Sequence, residues 1–433
     1  MLDIINSILW AVATVLIVYS GIYYTFKLKF VQFRFKSIFK SFKTNTKGLI
    51  TPFQSLMMVL GGRIGVGSIA GIALSISLGG IGTIFWIWII GFLSAANSFA
   101  ETVLGIKYQE YDEKKIYKGG PSYYLKKGLN KNRLSKIYAL IIIFSQIGGF
   151  LSIQSNTITR SITKYIEIKP FVIGLIITLI SFLIISGGVK KISKVSSKLV
   201  PIMTLIYVVS ALIIVVLNIK QIPIILISIV KEAFNIKSFG FGILSNIIIG
   251  IQRGIFSNEA GLGTGAIASS LVDVKYSASQ GFVQMIGIYI TTFLVCTATS
   301  IVILTSPVFL QNNNINGIEI TQEAFIYHFG NFGNIIVILS IILFSFSTIL
   351  SGYYDAESSL KYLVKTNKAN IFILKLVSLI VIFVSSFISS NILWNFVNMF
   401  TALLAIINIY AMINLKDHVL SELREYENYD TIK

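Results

Sequence analysis

The chain has 433 residues, 55% of them hydrophobic and only 12% charged, whereas soluble domains carry about 25% charge; a soluble fold is excluded, and no stretch leaves room for a separate soluble domain. The formal net charge of +18 sits between the apolar runs, where it reads as a topology signal and as contact with anionic lipid, not with nucleic acid. Cys296 stands alone inside an apolar run, and His328 and His418 lie far apart, which excludes a disulfide framework, a cysteine metal site and a histidine zinc motif.

Apolar runs of about 20 residues, long enough to cross a bilayer, recur throughout. We read eleven spans, at 4–25, 52–79, 81–108, 136–160, 170–188, 197–218, 240–270, 278–306, 334–363, 370–388 and 391–414. The first has no basic residues before it and reads as an uncleaved helix, not a signal peptide. Segment 26–48 carries seven Lys/Arg and no acid. Segment 107–137 is also basic, through Lys114, Lys115, Lys126, Lys127 and Arg133, and 190–198 adds Lys190, Lys191, Lys194 and Lys198. Loop 307–333 has no Lys or Arg. The positive-inside rule then places the N-terminus outside and the C-terminus in the cytoplasm. Ile222 to Phe234 reads as a short amphipathic outer interfacial helix or as an ordinary loop. The Lys-, Ile- and Asn-rich composition suggests an AT-rich bacterial genome, hence the plasma (inner) membrane.

Setting the first helix aside leaves ten spans, five plus five, and a five-span unit repeated in one chain must be inverted in the membrane. The expected organisation is an N-terminal helix with its basic loop (1–50), a first five-helix repeat (51–218), an outer interfacial segment (219–238), a second repeat (239–415) and a cytoplasmic tail (416–433). The fold class is an all-α polytopic membrane protein of about 11 transmembrane helices.

Each repeat opens on a span with a glycine-rich interruption. The first reads GGRIGVGSIAG (Gly61 to Gly71) and the second RGIFSNEAGLGTG (Arg253 to Gly265). Breaking a membrane helix frees backbone groups at several kcal/mol each, tolerable where they line a polar cavity or bind something. A pair of such breaks, one per half, points to a secondary transporter site. Half-helix N-termini suit a carboxylate, and unwound carbonyls suit an ammonium group or Na⁺. One site with both polarities suits a zwitterionic amino acid. The plainer reading of the glycines is close helix packing.

At these residues the chain resembles the alanine or glycine:cation symporter family, over nearly its whole length. The resemblance is carried by TPFQSLMMVLGGRIGVGSIAG, by GGPSYYLKKGL (Gly119 to Leu129), by Gln154-Ser155-Asn156, by RGIFSNEAGLG from Arg253 and by FSFSTILSGYYDAE (Phe344 to Glu357). It implies a LeuT-like 5+5 inverted repeat plus one extra N-terminal helix, and Na⁺- or H⁺-driven uptake of small neutral amino acids. It further implies that the substrate carboxylate meets the backbone at Gly65, Val66 and Gly67. Gln154 would bind substrate from the third helix, and Phe256, Ser257 and Asn258 would line the second break. Ile64, Ser347 and Thr348 would serve the ion, with sodium or a proton as the coupling ion and no other metal or cofactor.

Three departures from the family pattern bear on the site. Val66 and Ser68 stand where the pattern has Thr and Asn. Gly352 stands where many members have Trp; either room opens for a substrate larger than alanine, or Tyr353 or Tyr354 refills the gap. Arg63 is a mid-helix charge, costly and by default functional. It pairs with Glu101, Glu259 or Asp355, or takes the place of a lysine the pattern would align at Ser98, or occupies the sodium region and alters coupling. Glu101 reads as a structural pair or cap; for Glu259, beside the break, a cation or proton role and a structural one stand level.

The leading expectation is therefore a sodium-coupled symporter of small neutral amino acids, alanine, glycine or larger such as glutamine. A proton-coupled transporter or exchanger of the same fold is the alternative. A channel lacks a ring-forming filter, an enzyme lacks any catalytic constellation, and a non-transporting sensor lacks an appended sensory domain.

Overall fold

The computed structural model describes residues 2–42, 48–112, 116–235, 242–308, 317–364 and 367–432. Lys114 and Lys115 of the basic loop, the outer-loop residues 309–316 and the junction 236–241 lie outside them. The described chain is helical apart from one two-residue antiparallel hairpin, Glu110–Tyr111 with Tyr117–Lys118.

The helices run in chain order. α1 spans Leu2–Lys27 and α2 Phe35–Ser41. The first broken span is α3, Pro52–Arg63, followed by a π turn, Gly67–Gly71, and α4, Ile72–Gly79. Next come α5 (Thr83–Lys107), α6 (Pro121–Lys127), and one long helix made of α7 (Asn132–Phe144), a π segment Ser145–Leu151 and α8 (Ser152–Thr163). α9 is Pro170–Ile185, α10 Gly188–Leu217 and α11 Ile222–Ala233. The second half opens on α12, Gly242–Asn258, and α13, Thr264–Ser269. It continues with α14 (Ser277–Ile288), a π segment Tyr289–Cys296 and α15 (Thr297–Leu304). Then follow α16 (Ile318–Phe329), α17 (Asn331–Leu363), α18 (Lys368–Ser385), α19 (Ser390–Asn414) and α20 (Lys416–Ile432).

Eight described helices are long and apolar enough to cross a membrane, and nine when the pair bent by 49° at Arg63–Gly67 counts as one span. The 16-residue α9 and the interrupted α12–α13 occupy the two other places expected of spans. Large apolar side chains point outward from these helices, Leu183, Leu205 and Val216 among them at 62–67% exposed. That is the surface a lipid-embedded bundle presents. The halves match in form. Each begins with a broken helix, and the third helix of each is the longest of its half, 32 and 33 residues.

Two sequence expectations change, and one of two open readings is decided. The span expected at 197–218 begins at Gly188, so Lys190, Lys191, Lys194 and Lys198 are exposed on its first turns and form no loop; lysine is a good helix former, and a hydropathy window misses a polar helix end. The outer loop 307–333 contains α16. Ile222–Ala233 is a helix, not an ordinary loop.

Local chemistry explains the first broken span. Thr51 and Gln54 form a reciprocal capping box, with Pro52 at the first helical position, a strong start signal. The second break is fixed by positive φ at Glu259 (54°), Gly261 (86°) and Gly263 (89°). A Cβ at Gly263 would also run into Pro121, Tyr138 and Asn408. Gly263→Ala should therefore lower the thermal midpoint of the purified protein, with backbone strain alone worth about 1–3 kcal/mol. Gly188→Ala, at φ 65° with nothing within 4 Å of the new Cβ, should cost less; equal losses would refute the packing argument.

Candidate functional site

The two breaks face one another at the centre of the molecule, and each is held by side chains from neighbouring helices. At the first, the Val66 N–H donates to Gln154 Oε1 at 3.1 Å. A Cβ at Gly65 would strike Thr348 Oγ1 and the Gln154 amide, and one at Gly67 would lie 2.9 Å from the Phe256 ring. Close approach, more than backbone freedom, is what these two glycines provide.

Beside this break, α17 presents two hydroxyls to carbonyls of the last turn of α3 and to Phe344 O of its own helix. Ser347 Oγ lies 2.9 Å from Gly61 O and 2.8 Å from Phe344 O. Thr348 Oγ1 lies 3.0 Å from Gly61 O, 3.3 Å from Gly62 O and 3.1 Å from Phe344 O. Two hydroxyl protons thus serve three carbonyls, an oxygen-rich cluster suited to a hard monovalent cation. Ile64 is fully buried next to it, and its N–H closes the helix on Leu60 O at 2.7 Å.

On the other flank Ser68 and Ser257 hydrogen-bond at 2.8 Å, and Ser257 meets Cys296 Sγ at 3.1 Å. Thr299 donates to Ser68 O at 2.9 Å. Asn258 Oδ1 accepts from the Ala260 N–H at 3.0 Å, and its Nδ2 donates to Thr292 Oγ1 at 3.4 Å.

The second break is less open than its glycines suggest. Glu101 Oε2 accepts from the N–H groups of Gly261 (2.9 Å) and Gly263 (3.1 Å) and from Asn408 Nδ2 (3.2 Å). Asn408 also donates to Gly261 O, and the Tyr138 hydroxyl to Leu262 O at 2.6 Å. Much of the freed backbone is thus claimed by side chains. Gly261 and Gly263 here serve structural bonding. Gly265 makes room for a guanidinium, since its Cβ would lie 2.8 Å from Arg63 Nη2.

That guanidinium decides between the readings of Arg63. The side chain is 1% exposed. It donates to Ser98 Oγ at 2.9 Å and Gln284 O at 3.1 Å and pairs with Glu101 at 3.7 Å. Among the described residues its ion-pair partner is Glu101, not Glu259 or Asp355, and it contacts Ser98 directly. Its polar contacts are on α5 and α14, not with the hydroxyls of α17, so it does not fill the oxygen cluster. Glu259 Oε2 accepts from Thr264 at 2.8 Å and lies 3.8 Å from where a Cβ on Gly62 would sit.

Above Gly67, Phe256 stacks on Phe150 (centroids 5.2 Å, planes 13° apart) and tilts against Trp394 at 5.0 Å, over which Arg253 lies at 4.8 Å. The space beside Gly352 is not vacant. A Cβ there would meet Gln146 Oε1 at 2.6 Å and Leu151 at 2.9 Å. The expected opening is filled, by neither Tyr353 nor Tyr354. Phe150, Trp394, Gln146 and Cys296 were not singled out as site residues from the sequence; the π segments that carry three of them leave no residue signature. A separate cavity of about 990 Å³ lies between the basic segments, lined by Lys118, Tyr123, Lys190, Glu357 and Lys361 among others.

The chain's residues 1–432 match the model of the sodium:alanine symporter family. It is 33% identical to "Probable sodium/glutamine symporter GlnT" of Bacillus subtilis, over 98% of this chain and 89% of that one. It is 32% identical to "Sodium/alanine symporter AgcS" of Methanococcus maripaludis, over 98% and 96%. Among solved structures it shares its fold with MhsT in complex with L-phenylalanine, at TM-score 0.61 and 14% identity, over 88% of this chain and 97% of that one. A Na⁺-coupled sialic acid symporter follows at TM-score 0.52 and 15% identity, over 93% and 80%. The fold is LeuT-like.

Removing one partner of a buried ion pair strands the other, at about 3–5 kcal/mol. Arg63→Gln should therefore destabilise the purified protein strongly, and Arg63→Gln/Glu101→Gln should melt higher than Arg63→Gln alone. A double variant that melts lower than the single one would show that Glu101 matters for the Gly261 and Gly263 amides and not for Arg63.

Proposed function

Because the chain belongs to the sodium:alanine symporter family, we propose that it is a sodium-coupled symporter of small neutral amino acids that works by alternating access across the plasma membrane. The chain is a multi-pass membrane protein and not an enzyme. The observation that carries the reading is the meeting of Ser347 and Thr348 with the carbonyls of Gly61 and Gly62 at a break in a membrane helix. Na⁺ is the hard, weakly polarising ion such a cluster holds.

In this reading the amino-acid carboxylate binds backbone N–H groups at Gly65 to Gly67, where the π turn begins a half-helix with its positive end toward the site. Gln154 orients that backbone and contacts the substrate. Ser68 and Ser257 join the two broken helices beside it, and Phe256 on Phe150 closes over it. Na⁺, coordinated by carbonyl oxygens of α3 and hydroxyls of α17, ties the two helices together, so ion and substrate favour the same closed arrangement; this is the differential affinity that coupling requires. The basic segments 26–48 and 190–198 face the cytoplasm and anionic lipid in this orientation, with the N-terminus outside.

Uptake of labelled alanine, serine and glutamine into liposomes tests the proposal, with a sodium gradient, a proton gradient and neither. Sodium-driven accumulation is expected, with Thr348→Val raising the sodium concentration for half-maximal uptake by tenfold or more. Accumulation driven by protons alone, or exchange indifferent to both gradients, would overturn sodium coupling.

Gln146 also makes a claim about size. With its amide occupying the space beside Gly352, alanine and serine should compete better than glutamine in the same liposomes. Gln146→Ala should narrow that difference, and an unchanged order would remove Gln146 from the specificity determinants.

A further inference from the structure

The cavity of about 990 Å³ lies away from the two breaks, where the link from α9 to α10 meets the link from α17 to α18. Five lysines and three acids line it. Each acid is answered by a base: Asp112 by Lys118 at 3.0 Å, Glu110 by Lys127 at 2.7 Å, and Glu357 by Lys361 one turn along α17. Lys190, Lys368 and Lys375 are left over. Among the described residues, none of the three ammonium groups has an ion pair or a hydrogen bond. The remaining polar side chains of the lining are phenols and the amide of Asn367, which carry no charge.

Lys375 is the most informative of the three. It stands seven residues beyond Lys368 on the same face of α18, about 10 Å further along the helix. A charge inside a membrane span is costly and marks a function unless a partner meets it. Reaching back toward water would account for one such lysine; it does not account for three unpaired ones lining one cavity. The wall beside them is apolar. Ile371 and Phe372 of α18 line the cavity between Lys368 and Lys375, and Phe372 is 65% exposed. Only 22% of the apolar stretch of α18 is buried, the smallest share among the described spanning helices, so this wall faces lipid.

We propose that the cavity binds one anionic phospholipid of the cytoplasmic leaflet, its phosphate held by Lys190, Lys368 and Lys375 and its acyl chains lying along the Phe372 face of α18. A basic pocket between membrane helices on the cytoplasmic side suits such a headgroup, and ammonium-to-phosphate hydrogen bonds are of the strong, charge-assisted kind. This is a single built site, distinct from the diffuse attraction of the basic segments to the leaflet. It rests on the orientation given above for the choice of leaflet alone.

Native mass spectrometry of the purified full-length protein, with its thermal midpoint in the same micelles, tests it. Phosphatidylglycerol is compared with phosphatidylcholine of the same acyl chains and with inorganic phosphate. The wild type should retain about one phosphatidylglycerol per chain, bind it about tenfold more tightly than phosphatidylcholine, and melt higher with it; inorganic phosphate should not raise the midpoint. K190Q/K368Q/K375Q should lose the preference. K131Q/R133Q/K136Q, which removes as much charge from exposed side chains at the start of α7, should keep it. Equal binding of the two lipids by the wild type overturns the site. So does an equal loss in both triple variants, which leaves diffuse attraction only. A midpoint raised as far by inorganic phosphate replaces the lipid with a soluble anion and overturns it too. Should the cavity variant fold poorly, the wild-type preference and K375Q decide. Binding is read without transport: a chain that prefers phosphatidylglycerol but takes up no amino acid keeps this site and ends symport, and sodium-driven uptake without the preference does the reverse.

Discussion

A helix interrupted inside a membrane must find partners for its freed backbone groups, and the arrangement of this protein follows from how that is done. At the second break a single carboxylate, Glu101, takes two amides of the unwound stretch, those of Gly261 and Gly263. A charged acceptor makes roughly twice as strong a hydrogen bond as a neutral one, but it must itself be neutralised. Arg63, from the other broken span, does so. The two interruptions are thereby wired to each other through α5, and the Arg63 donation to Gln284 O adds α14. Parts of α3, α5, α13 and α14 are tied by ionic and charge-assisted bonds, and the small residues Gly265 and Gly287 are required because the guanidinium lies against them.

The same logic separates structural polarity from functional polarity. At the second break the amides and carbonyls of Gly261 to Gly263 are met by Glu101, Asn408 and Tyr138, which fixes a bend. At the first break the partners are hydroxyls and an amide, Thr348, Ser347 and Gln154, neutral groups that can trade one partner for another at low cost. A carbonyl that accepts from a threonine hydroxyl can turn that lone pair to an ion. The two glycine-rich motifs look alike in sequence, yet the freed backbone of one is met by a carboxylate, an amide and a phenol and that of the other by hydroxyls and an amide.

Much of this was legible in the residues. Span positions, the pairing of the two breaks and the proximity of Thr348 to Gly65 follow from hydropathy, glycine content and the resemblance. Other features were hidden for physical reasons. Lysines on the first turns of α10 look like a loop because hydropathy cannot see a solvated helix end. Gln146 beside Gly352 was invisible because a vacancy left by one side chain is filled from a different helix, and the π segment Ser145–Leu151 shifts the register of that helix. Arg63 offered three acidic candidates, and sequence spacing carries no information on which lies across the bundle. Glu101 won because α5 packs between both broken spans.

The stack of Phe150, Phe256, Trp394 and Arg253 has a consequence for the medium in which the protein works. Its one charge rests on an indole face and not on a carboxylate. Such contacts draw on ring quadrupoles, dispersion and desolvation at short range, and within a buried stack mobile ions screen them little. Packing built this way keeps its strength from dilute to brackish surroundings. A sodium-coupled symporter profits from that property, because the concentration of the ion can then change without also loosening the aromatic packing between the broken span and its neighbours.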